Sequence, residues 1–305
     1  MRDLKDYTLR EWANAAPLSH RARRLRNLAI DALYAGRRAT GQEALVAELS
    51  ARRDEVLACT IAFNLPQAVA LLAEGMARSV PDARLLVCDN SSDREARARI
   101  AHLCRERGLL YCPMPPAPRP HKRPNGSRSH GVALNWVWSN LIRPSRPRIF
   151  AFLDHDLLPL APDDLAARVA RQPAYGMVRH GERFGGWYLW PGYSVFDFAA
   201  VAHLPLDFGT DTPLTLDTGG QNWRVLYRHL SLPDLAQART REVFLEDPET
   251  GKPESYLLAD QWLHVGGAGH RGGGAAALER VRAAYEADPQ GLLARLMASV
   301  RTQAS

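Results

Sequence analysis

From residue 54 onward, short apolar runs alternate with segments whose apolar residues recur at helical spacing. Val56–Phe63, Arg84–Cys88, Leu109–Cys112 and Arg148–Leu153 read as four strands, nearly all apolar as strands buried on both faces are. Helical stretches separate them, from Asn64-Leu65-Pro66 to Met76-Ala77-Arg78, from Arg94 to Arg107, and from Gly131 to Leu141. This alternation predicts an α/β fold, a Rossmann-like and mostly parallel central sheet with helices on both faces. Such sheets bind ligands at the carboxyl ends of their strands. Three loops then stand out: Phe63-Asn64, Asp89–Asp93 and Asp154-His155-Asp156.

The remainder has a different texture. Residues 1–53 are rich in Arg, Ala and Leu, with Leu25, Leu28, Ala29, Ala32 and Leu33 at helical spacing beside Arg21, Arg23, Arg24 and Arg26. They predict an N-terminal helical extension with a basic face, either simply solvated or laid against anionic lipid. Tyr175–Phe198 is rich in Gly and aromatics, which suggests irregular strands and a close-approach loop. Gln221–Leu230 and a segment around Ala275–Ala287 read as helices. No linker divides residues 54–305, taken as one domain of two halves, 54–156 and 157–305 with the tail.

Composition narrows this little. At 305 residues and 46% hydrophobic content the chain can bury a sizeable core. A net charge of +6 favours an anionic partner. Cys59, Cys88, Cys104 and Cys112 form no CxxC pair, and Cys59 and Cys88 sit inside strand-like runs, as core thiols in a reduced cytoplasmic compartment do. No apolar run approaches the roughly 20 residues that span a bilayer. The expected location is cytoplasmic, with peripheral contact at the inner membrane face open through the N-terminal helix.

The rim carries the chemistry. In Ile149–Pro159 (IFAFLDHDLLP) an apolar strand runs into two acids separated by one histidine. Residues i and i+2 of a strand point the same way, so Asp154 and Asp156 would share a side. Paired carboxylates suit a hard cation such as Mn²⁺ or Mg²⁺, which binds through one or two carboxylates plus substrate phosphates. A solvated loop or helix-capping acid is the plainer explanation of such a DxD.

Taken in order, these motifs resemble the GT-A-fold glycosyltransferases, most closely the family 2 type, across roughly residues 54–230. The aromatic-Asn pair Phe63-Asn64, the turn Asp89-Asn90-Ser91-Ser92-Asp93, the helix motif Gly131-Val132-Ala133-Leu134-Asn135 and the DxD of Asp154 and Asp156 carry the likeness. It implies a metal-dependent, inverting enzyme that moves a sugar from a nucleoside diphosphate, of UDP or GDP type, to an acceptor hydroxyl. The acceptor would be a glycan, a lipid-linked molecule or a small molecule. By this resemblance Phe63, Asn64, Asp89, Asn90 and Asp93 line the nucleotide site, Asp89 meeting the base. Asp154 contacts the ribose and, with Asp156, the metal at the diphosphate.

Two departures accompany the likeness: Leu134 stands where an Arg is frequent, and Ile61-Ala62 offer no hydroxyl. His121, Lys122, Arg123 and Arg128 could replace the missing charge or form a plain basic loop. Asp217 resembles the family's catalytic base but could equally cap a helix, with Asp247 and Asp260 as fallbacks. His264, in a Gly-rich tail with His270 and Arg271, is a candidate third metal ligand or a surface-turn residue. Trp187 and Trp190 stack on an acceptor or pack in the core. His155 is a spacer or a minor nucleotide contact.

Two other functions fit less well. A nucleotidyltransferase acting on a sugar phosphate needs a Gly-rich basic loop after the first strand, and Asn64-Leu65-Pro66-Gln67 is not one. A basic nucleic-acid-binding protein is suggested only by net charge, with arginines dispersed and no recognition motif, so no nucleic-acid partner is expected.

Overall fold

A computed structural model describes residues 2–117, 126–247, 250–267 and 273–300. In chain order its helices and strands are α1 Leu9–Ala13, α2 Ala16–Ala35, α3 Gln42–Ala51, β1 Val56–Ala62, α4 Pro66–Ser79, β2 Ala83–Asp89 and α5 Arg94–Glu106. Then come β3 Leu110–Pro113, α6 Gly126–Val137, a π-helical turn Trp138–Ile142, α7 Arg143–Ser145, β4 Ile149–Asp154, β5 Leu157–Pro159 and α8 Leu165–Arg168. The rest comprises β6 Ala174–His180, β7 Trp187–Asp197, α9 Phe198–Val201, β8 Thr240–Glu246, β9 Pro253–Ala259, β10 Trp262–His264, α10 Gly274–Ala287 and α11 Leu292–Ala298.

Six strands form the main sheet in the order β3-β2-β1-β4-β7-β6. The first four are mutually parallel, as the alternating pattern predicts, whereas β7 joins β4 and β6 joins β7 antiparallel. Every residue of β1 is buried. Its odd and even positions serve opposite layers: Leu57, Cys59 and Ile61 pack with Trp136 and Val137 of α6. Val56, Ala58 and Ala62 pack with Val69, Leu72, Ala73 and Met76 of α4. That two-sided burial is why the strand reads as an unbroken apolar run. All four cysteines are buried free thiols, and burial raises the pKa of each.

Three expectations need correction. Tyr175–Phe198 has the expected irregularity, an antiparallel pair whose register shifts between Gly176 and Val178 and whose Gly176 lies so close to Tyr193 that a Cβ would sit 2.3 Å from its O, but Trp187 and Trp190 lie in a strand and not in a loop. The helix expected over Gln221–Leu230 is two 3₁₀ turns, Gly220–Trp223 and Tyr227–His229. Here tertiary packing overrides local spacing, because the rings of Trp223 and Tyr227 lie 6.2 and 5.2 Å from that of Trp187. The second half also builds a separate antiparallel sheet, β5-β10-β9-β8, that no local pattern announced.

Candidate metal centre

The register of the parallel strands sets the rim. Ala62 pairs with Asp89 and Ile61 with Asp154, so the three polar loops leave the sheet side by side. Asn64 adopts a left-handed backbone (φ 54°) that Asn tolerates better than most residues. Its Oδ1 accepts from the backbone N–H of Ser92 (2.9 Å) and Asp93 (3.0 Å), and its Nδ2 donates to Ser92 Oγ (3.0 Å). Asn64 therefore clamps the end of β1 to the loop after β2.

Asp89 and Asp93 are likewise engaged within the protein. Asp89 is fully buried, its Oδ1 accepting from Ser91 N (2.9 Å) and its Oδ2 from the Tyr111 hydroxyl (2.9 Å). Asp93 caps α5 through Ala96 N (2.7 Å). The structure gives both carboxylates internal work where a ligand contact was expected. Half-buried Asn90 is different: its backbone N–H bonds Ala62 O (2.9 Å), and its side chain has no hydrogen bond among the described residues. His155 also gains a role, its Nδ1 accepting from the N–H of Phe63 (3.3 Å) and so tying β4 to β1.

At the end of β4 the chain turns directly into β5, whose partner is β10, with His264 opposite Leu157. Asp156 O accepts from Val265 N (3.1 Å) and extends that contact. This pairing delivers His264 from the far end of the chain onto the DxD. Its Nε2 lies 3.7 Å from Asp154 Oδ2 and 3.4 Å from Asp156 Oδ1. Candidate ligand atoms of Asp154, Asp156 and His264 all fall within 4.8 Å of one another. Burial would keep the imidazole neutral, but the two carboxylates outweigh it and raise its pKa to about 9. Half-buried Asp154 and buried Asp156, side by side, make an electron-rich pocket. Carboxylate oxygens with one imidazole nitrogen form a donor set that a divalent cation can satisfy.

A second histidine lies at the same carboxylates. His130 of α6 has its Nε2 3.7 Å from Asp154 Oδ1, and burial pushes its pKa below the usual value against the pull of Asp154. No local pattern marks it; its signal is its position just ahead of Gly131 in the helix motif. Gly131 is needed there because a Cβ would sit 2.9 Å from Phe208 O. Asn135 of the same motif bonds both sides of that loop, donating to Asp207 Oδ1 (2.7 Å) and accepting from Phe208 N (2.7 Å). The motif thus fixes the segment that leads to Asp217.

Asp217 is exposed, within electrostatic reach of His130, and its backbone lies against the Tyr188 hydroxyl of β7. Its neighbour Thr218 donates to Ser127 O of α6 (3.1 Å). The 3₁₀ turn that follows is capped at Gly219 with no side-chain bond, so Asp217 is not a helix cap. Asp260 bonds Arg239 N (2.9 Å) and the Tyr175 hydroxyl (2.5 Å), and Asp247 lies 3.7 Å from Arg280.

Arg128 is a correction: it is buried and paired with Asp31 of α2, Nη1 to Oδ2 at 2.9 Å with a second bond from Nη2 to Oδ1. A guanidinium so held is committed to docking α2 on α6. His121, Lys122, Arg123, His270 and Arg271 lie outside the described residues. A surface cleft of about 680 Å³, lined in part by Arg53, Arg146 and Arg148, opens at the opposite end of the sheet and holds none of these groups.

The two tryptophans part company. Trp187 is buried against Trp223 and Tyr227. Trp190 is half-buried and its ring lies 4.6 Å from that of His264. The indole folds back over Gly192, where a Cβ would come within 2.0 Å of it. Gly192→Ala should therefore displace Trp190 and loosen His264, weakening Mn²⁺ binding about tenfold, as loss of an outer support for a ligand does. Calorimetric titration with Mn²⁺ reads this, and Trp190→Ala should give the same loss.

No protein-family model matches the chain, and no curated protein matches it. Among solved structures it is similar to S. aureus TarS, at 13% identity and a TM-score of 0.34, over 50% of this chain and 30% of that one. It is also similar to the mannosyltransferase PcManGT from Pyrobaculum calidifontis in complex with GDP-Man and Mn²⁺, at 15% identity and a TM-score of 0.35. That match covers 61% of this chain and 60% of the other. The chain thus spans less than two thirds of either structure's length.

Proposed function

We propose that the protein is a metal-dependent glycosyltransferase that moves a sugar from a nucleoside diphosphate to an acceptor hydroxyl with inversion. The observation that carries this reading is the convergence of Asp154, Asp156 and His264 at the carboxyl rim of the parallel strands. A structural ion pair would need one acid; two adjacent acids with a histidine between them suit a cation and its anionic partner. Mn²⁺ or Mg²⁺ held there would neutralise charge building on the departing diphosphate.

The chain's own residues do the rest. Phe63 and Asn64 shape the nucleotide side of the rim, and Asn90, whose side chain has no hydrogen bond among the described residues, offers the base its amide. Asp217 accepts the proton of the acceptor hydroxyl as its oxygen bonds to the sugar's anomeric carbon and the bond to the diphosphate oxygen breaks. Trp190, its ring tilted against that of His264, presents an apolar surface next to the sugar. Trp187, Arg128 and Asp93 have structural work instead. The lack of a Gly-rich phosphate loop after β1 disfavours a nucleotidyltransferase.

A thermal-shift screen of nucleoside diphosphates and their sugars, with and without Mn²⁺, tests the reading. One UDP- or GDP-type ligand should raise the melting temperature by roughly 4–8 °C at saturation, only with metal. A flat screen, or shifts indifferent to chelator, would remove the proposal.

A further inference from the structure

Helix α2 is mounted with its polar side inward. Among its twenty residues only Pro17 and Tyr34 are buried. It is held to the body by polar contacts: Asp31 to Arg128, Arg24 Nη1 to Gln221 Oε1 (2.9 Å) and the Tyr34 hydroxyl to Pro115 O (2.8 Å). Its leucines point away, with Leu18 62%, Leu25 68% and Leu33 76% exposed, and Leu28 is open as well. At 100° per residue, Leu18, Ala22, Leu25, Ala29, Ala32 and Leu33 fall on one outward strip. Surface helices of globular proteins turn such a strip to the core, so this one has a use outside the chain.

The charges beside the strip indicate what covers it. Arg21 borders it on one side, Arg26 and Arg23 on the other, all exposed. The helix carries a single acid, Asp31, and that is consumed by Arg128. We infer that the outer face of α2 docks on an anionic lipid surface, leucines entering the headgroup boundary and arginines meeting lipid phosphates. A second copy of the chain is disfavoured because pairing two such faces sets arginine against arginine with no exposed acid on the helix to answer them. No helix among the described residues is long and apolar enough to cross a membrane, so the contact lies in the surface plane. Because Arg24 reaches the turn that follows Asp217, docking brings that turn within about one helix diameter, ~10 Å, of the lipid.

Co-sedimentation of the full chain with vesicles tests the inference without relying on transferase activity. Wild type should bind vesicles of phosphatidylcholine containing phosphatidylglycerol, bind phosphatidylcholine alone at least about tenfold more weakly, and be released by salt. Leu18→Gln with Leu25→Gln should lower binding about tenfold or more, each buried leucine contributing strongly to partition, while Mn²⁺-dependent nucleotide binding stays unchanged. Arg21→Gln with Arg23→Gln and Arg26→Gln should erase the preference for anionic vesicles. Failure of wild type to sediment with anionic vesicles, or equal binding by the leucine variant, overturns the inference. Dimers in solution that dissociate in the leucine variant would instead assign the face to a second copy.

Discussion

Asp156→Asn should abolish metal-dependent nucleotide binding and lower sugar transfer by about a thousandfold or more, while the fold persists. Asp156 is the most enclosed member of its group, with a side chain only 5% exposed and an Nε2 of His264 at 3.4 Å. No water-exposed acid can replace it, and an amide keeps its shape but not its charge. The backbone contact that positions the residue, Val265 N to Asp156 O, is untouched by the change. His264→Ala should weaken Mn²⁺ binding less, because two carboxylates remain. Circular dichroism and the melting curve of the metal-free protein check that folding survives; activity with added Mn²⁺ reads the effect. Normal metal dependence in Asp156→Asn would mean that the paired acids are structural.

Asp217→Asn should lower kcat by roughly a hundred- to ten-thousandfold with little change in donor KM, the signature of a lost proton acceptor. The amide preserves volume and the loop's anchors, which run through Thr218 to Ser127 and through Gly219 N to Phe208 O. Asp217 is exposed and outside the metal group, so donor and metal should bind as before. Steady-state kinetics with the donor varied at saturating acceptor separates the two constants. A rise in donor KM with kcat intact would move Asp217 from proton transfer to donor binding.

The parallel core was legible because β1, β2 and β4 are largely buried and run into polar residues at or just past their ends, a contrast visible along the chain. The placement of Asp154 and Asp156 at that end followed from the same contrast. His264 was legible only as a histidine in a glycine-rich tail, since the pairing of β10 with β5 that delivers it is a long-range event. For the same reason the second sheet and the contacts of His130 and His155 had no local signature.

Arg128 shows the opposite failure. A basic residue near an expected phosphate site looks functional, yet its partner Asp31 lies far away in sequence on α2. Asp89 and Asp93 sit where the motif puts them, but neighbouring groups of the protein already engage them. A carboxylate that ends a strand or starts a helix first satisfies nearby backbone donors. The expected helix over Gln221–Leu230 failed because Trp223 and Tyr227 are spaced for a helix but anchored to Trp187.

The most direct test of the account is electron paramagnetic resonance titration of Mn²⁺ into the wild-type protein and into Asp156→Asn, each with and without a nucleoside diphosphate. The wild type should bind one Mn²⁺, tightened by the nucleotide, and the variant should lose both the site and the tightening. Equal Mn²⁺ binding by the two proteins, or binding that the nucleotide leaves unchanged in the wild type, would contradict it.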